Sequence, residues 1–140
     1  MGRRPPARVR SGLRRRPRPG ESRAVVPGLS ARAVADVARV EERHLAPGAT
    51  YAAWRGWRAL VHGARGRVIY PNWEVLGCPC CSSREERATL ERVTRALPPR
   101  SARELRVVLA PLDAAYLGVT VPDPYAAPGA PWWERRIGHA

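Results

Sequence analysis

Apolar residues recur at helical spacing in four stretches of this chain, with proline, glycine and serine between them. After Pro27-Gly28, Ser30 stands where a helix N-cap belongs. Val34, Val37 and Val40, with Ala38, then mark one side of a helix from Ala31 to about His44. Ala46-Pro47-Gly48 stops it. Thr50 is the next cap, and Trp54, Trp57 and Val61, with Leu60 beside them, predict a helix over Tyr51 to His62. Ser82 or Ser83, with Glu85 or Glu86 three positions on, forms a capping box. The helix it opens runs to about Leu97, with Leu90, Val93 and Leu97 inward and a Glu91–Arg95 pair outside. Pro98-Pro99 breaks that helix. Ser101 with Glu104 makes a second capping box ahead of Leu105, Val108, Leu109, Leu112 and Tyr116. Pro111 lies inside this run and predicts a kink or a split near Ala110. A link of about four residues implies that the last two helices fold back as an antiparallel αα-hairpin.

Between the second and third helices the pattern changes. Residues 67–76 are β-branched and aromatic, but Pro71 interrupts any strand, so an extended segment or short hairpin is expected, leading into the cysteines at 78–81. Beyond Val121, Pro122, Pro124, Pro128 and Pro131 predict an irregular tail whose Trp132 and Trp133 dock on the body or face a partner. The fold class expected is mainly α: a small helical domain at 29–121 with an αα-hairpin and one irregular, cysteine-containing segment. A basic arm at 1–28 and a proline-rich tail at 122–140 flank it, both expected to be disordered.

Charge changes the picture. Among 140 residues are 25 arginines, no lysine and 12 acids, a net charge of +13. Arginine in place of lysine is compositional bias, since Phe is also absent. The excess of bases over acids is not explained that way, because exchanging one cation for the other leaves charge unchanged. Residues 1–23 alone hold nine arginines and one acid, Glu21, among prolines and glycines. So few apolar groups cannot offset the entropy of ordering, and like charges extend the chain. Guanidinium groups pair with phosphates and release counterions, so Arg3, Arg4, Arg8, Arg10, Arg14, Arg15, Arg16 and Arg18 are candidate phosphate contacts. Arg100, Arg103 and Arg106 form a candidate second patch near a helix N-terminus. Nucleic acid, without sequence specificity, is the expected partner.

Cys78, Cys80 and Cys81 are the only cysteines. Three thiolates so close suit zinc, which takes four ligands in a structural site; His62 is the first choice for the fourth, ahead of His44 and His139. Inert thiols in a turn and a redox pair are the other readings, and the odd count speaks against a disulfide framework. A protein–protein adaptor built on this zinc-stapled turn, meeting its partner through the tail, is therefore the alternative function. No catalytic residue is assigned. Glu85-Glu86 suit a helix start, Glu41-Glu42 look like partners for Arg39 or Arg43, and Asp113 and Asp123 stand isolated. No phosphate-binding glycine loop or nucleophile elbow is present. Trp54, Trp57 and Trp73 lie among arginines and could stack on bases, but in a chain without Phe the core is the stronger claim on Trp54 and Trp57. No apolar run reaches membrane-span or signal-peptide length, so no membrane partner and a cytoplasmic location are expected.

Arg92 to Leu109, with Ala96-Leu97-Pro98-Pro99-Arg100 ahead of an acidic, leucine-bearing helix, resembles the opening of region 4 of bacterial sigma factors, a helix-turn-helix DNA reader. The likeness covers about 18 residues and ends at Ala110-Pro111, where the recognition helix should start. It implies an αα-hairpin, and no functional residue is carried over.

Overall fold

The computed structural model describes residues 24–63 and 84–138. Four helices make up most of it: α1 (Ala31–His44), α2 (Ala49–Gly63), α3 (Arg84–Ala96) and α4 (Pro99–Gly118). Two short strands follow, β1 (Thr120–Pro122) and β2 (Arg136–Gly138). The mainly α class expected from periodicity is the class observed. No helix among the described residues is long and apolar enough to cross a membrane.

Local chemistry sets the helix ends. The Ser30 hydroxyl accepts the Ala33 N–H at 3.2 Å and caps α1. The chain then turns at Gly48, whose φ of +82° suits glycine. The Glu41 carboxylate receives the Gly48 and Thr50 N–H groups at 2.8 and 2.9 Å, so α1 caps the start of α2. Proline opens α4: Pro99 occupies its first turn, where the missing N–H costs nothing.

This start shortens the predicted link to Leu97-Pro98 and moves Ser101 inside the helix. Arg87, near the beginning of α3, reaches Asp113, late in α4, so the two helices run antiparallel as a hairpin. Pro111 does not split α4. The carbonyl it cannot serve belongs to Val107, which is 68 % exposed and can take water instead.

The core gathers one face from each helix. Val37 and Val40 come from α1, Ala53, Trp57 and Val61 from α2, and Leu90 and Val93 from α3. The α4 contribution is Leu105, Leu109, Leu112 and Tyr116. Trp57 and Tyr116 lie at its centre with ring centroids 4.7 Å apart. Their burial is among the larger hydrophobic terms, since losing such a ring typically costs about 3–5 kcal/mol. On another face of α2, Gly56 meets α3 so closely that an added Cβ would sit 2.7 Å from the Glu86 Cγ.

Both expected tail boundaries move. Val26, placed in the arm by composition, is buried, and Gly28 turns against Val108. At the other end, residues 122–135 are largely irregular, as their prolines predict, but they fold back rather than stray. Trp133 is buried, its carbonyl accepts the Tyr116 hydroxyl at 2.9 Å, and β2 pairs antiparallel with β1, Val121 opposite Ile137. Arg136 closes the join by donating to the Leu117 carbonyl at the end of α4 and to the Thr120 carbonyl of β1. Two large indoles supply the apolar area that the sequence around them lacks.

Candidate functional site

Five acids of the body, Asp36, Glu41, Glu91, Glu104 and Asp113, are engaged by groups of the body itself. Asp36 on α1 is buried and accepts hydrogen bonds from Ser101 of α4 and from Arg39. The Ser101 hydroxyl first, and Arg39 after it, holds the Asp36 carboxyl below the usual range. Ser101 is therefore not the helix cap its spacing with Glu104 suggests. Glu104 instead accepts the Ser30 N–H at 3.0 Å across the α1–α4 seam, a bond that lowers its pKa. Glu41 takes backbone N–H groups, as described, in place of the expected Arg39 or Arg43.

Asp113, isolated in sequence, is the acceptor at the centre of a buried cluster. Arg87 donates to both its oxygens at 3.0 Å, and the Trp57 indole N–H donates at 3.1 Å. Arg87 is 6 % exposed, also pairs with Glu91 at 3.3 Å, and lies over the rings of Trp132 and Trp133. Burial pushes Glu91 up, but hydrogen bonds from Arg95 and Arg87 outweigh it and leave the carboxyl below its ordinary value. Carboxylates saturated by N–H donors in this way are poorly placed to accept a substrate proton. The cluster joins α2, α3, α4 and the tail.

Several arginines, by contrast, have no acid partner among the described residues. Arg103 and Arg106 on α4 are exposed and make no ion pair among the described residues, while Arg100 lies 4.0 Å from Glu104. The exposed face around Val107 thus carries the three expected cations Arg100, Arg103 and Arg106. Arg32 on α1 acts on Glu104 together with Arg100, which brings it to the same seam. Arg55 and Arg58 on α2 are exposed and likewise lack ion pairs among the described residues. They were not singled out in the sequence, yet a signal is there: α2 has no acid anywhere in Ala49–Gly63, so no partner at i±3 or i±4 exists.

Arg3, Arg4, Arg8, Arg10, Arg14, Arg15, Arg16 and Arg18 lie outside the described residues, as do Cys78, Cys80, Cys81 and His139. His62 is exposed in the last turn of α2 and His44 at the end of α1. Among the described residues no group of three His, Cys, Asp or Glu side chains is placed to hold a metal ion. Trp57 is core as expected, whereas Trp54 is only half-buried. Trp133 is inside the body, so it does not serve as the exposed anchor that the adaptor reading asked of it.

One groove of about 450 Å³ runs between residues 24–29, α1 and the first turn of α2, lined chiefly by Val25, Val34, Val37 and Tyr51. Its walls are largely aliphatic and bring no set of convergent polar groups beyond Glu41 and Thr50. Comparison of the chain with protein-family models, with curated proteins and with solved structures gave no match.

Proposed function

We propose that this chain is a small, non-enzymatic accessory protein that binds nucleic acid without sequence specificity. Its arm arginines, Arg3, Arg4, Arg8, Arg10, Arg14, Arg15, Arg16 and Arg18, are assigned to phosphates, with Arg100, Arg103 and Arg106 as a second contact region. The observation that carries the reading is the imbalance of commitments in the body. Asp36, Glu41, Glu91, Glu104 and Asp113 already hold partners within it. They offer little to neutralise a further nine arginines in residues 1–23. Surplus guanidinium groups beside such acids favour an external polyanion, and phosphate esters match their geometry. Phosphate contacts position a protein and carry no base information, so affinity is expected to vary little with sequence. A gel shift on a random duplex at low salt tests this. The full chain is expected to retard the duplex, and the chain starting at residue 24 to bind far more weakly. No retardation, or undiminished retardation without the arm, would overturn it.

A further inference from the structure

We propose that the Tyr51–Trp54–Arg58 ladder on α2 is a stacking platform for the bases of single-stranded nucleic acid, with Arg55 and Arg58 taking its phosphates. The inference rests on the nucleic-acid reading above and adds the class of strand. Tyr51 and Trp54 stand one helical turn apart, ring centroids 5.7 Å from each other and planes inclined by 32°. The Arg58 guanidinium carbon lies 5.6 Å from the Trp54 ring centroid on the next turn. Spacings of three and four residues place all three on one flank of α2, with Arg55 beside them. That flank is turned away from the one where Gly56 meets Glu86 of α3.

Two features set this flank apart from a core face. Trp57 fills the centre of the molecule, while Trp54 and Tyr51 keep part of their rings in water. Both rings pack on the rim of the core and leave only part of their area exposed, and α2 contributes no acid to neutralise the arginines next to it. Flat rings flanked by guanidinium groups that have no ion pair among the described residues are complementary to a base joined to phosphate. An exposed cation–π contact is weaker than a base–aromatic stack. An arriving base therefore displaces the Arg58 guanidinium from the indole and leaves it for the adjacent phosphate. A duplex keeps its bases stacked within itself, so this flank can take a duplex only through phosphates. Stacking accepts any base, in keeping with the absence of sequence readout.

The test uses the full chain, labelled oligothymidylate of twelve nucleotides and a twelve-base-pair duplex, with fluorescence anisotropy at low salt. Trp54→Leu keeps apolar bulk and removes the stacking surface. It is expected to lower affinity for the single strand roughly tenfold and leave the duplex nearly unchanged, while Trp54→Tyr restores most of the loss. Unchanged single-strand affinity, or equal losses on both nucleic acids, overturns the platform alone. Should the unaltered chain bind neither probe, the nucleic-acid reading itself fails. Should Trp54→Leu not fold, Arg55→Gln with Arg58→Gln decides. Both sites are exposed, and the pair is expected to weaken single-strand binding and lower its salt slope by about 1.4. An unchanged slope overturns the assignment of phosphates to them.

Discussion

Replacing Asp113 by leucine probes the cluster that ties the hairpin to α2 and the tail. In the native molecule Asp113 satisfies two donors of Arg87 and the indole N–H of Trp57. Its removal strands a guanidinium that is 6 % exposed, with Glu91 at 3.3 Å the carboxylate left to it among the described residues. Breaking one side of a buried ion pair costs about 3–5 kcal/mol, and the lower figure applies because the Asp113 side chain is 20 % exposed. The orphaned indole N–H adds about 1 kcal/mol. The expected loss is about 4 kcal/mol, a large part of the ~5–15 kcal/mol typical of a small domain. In a body of this size it corresponds to a fall in Tm of roughly 15–30 °C. Urea unfolding followed by tryptophan fluorescence measures it, with Arg87→Met and the double variant completing a cycle. The double variant should recover much of the single loss, because two apolar chains bury more cheaply than one unpaired charge. A loss under about 1 kcal/mol for Asp113→Leu, or strictly additive single effects, would refute the reasoning.

Two further outcomes follow from the packing. Trp133→Ala should cost about 3–5 kcal/mol and release β2 from β1, seen as faster amide exchange at Val121 and Asp123; unchanged exchange would mean the tail holds without its indole. The lowered carboxyls of Asp36, Glu91 and Glu104 make stability acid-sensitive. Each folded pKa lies below the unfolded value, so the contribution is full above the ordinary values of 3.8 and 4.5 and is lost as pH falls through the depressed ones. Thermal melts should thus show little change from these groups between pH 7 and 5 and a decline below about pH 4. Ser101→Ala should shallow that decline, and an unaltered decline would remove Ser101 as the main cause at Asp36.

Helices were legible because their signal is local. Val37, Val40, Leu90, Val93, Leu105 and Leu109 repeat every three or four residues, and all are buried as that repeat requires. What the sequence hid are bonds between distant positions. Ser101 and Glu104 satisfy the spacing of a capping box, yet their partners are Asp36 and Ser30, on or next to another helix. Nothing near Asp113 announces Arg87, because the pair exists only once the hairpin has closed. The tail misled by its prolines: they forbid long regular structure but do not prevent Trp133 from anchoring the chain. Of the surface cations, Arg100, Arg103 and Arg106 were visible as a run, whereas Arg55 and Arg58 stand out only when the missing acids of α2 are counted.

The central claim, that unneutralised arginines bind a polyanion, is tested most directly by the salt dependence of duplex affinity. Each phosphate neutralised contributes about −0.9 to the slope of log K against log salt concentration. Six to ten contacts in the full chain predict a slope of about −5 to −9, and removal of residues 1–23 should bring it to about −3, the share of Arg100, Arg103 and Arg106. A slope near zero, or one that is the same with and without the arm, would contradict the account.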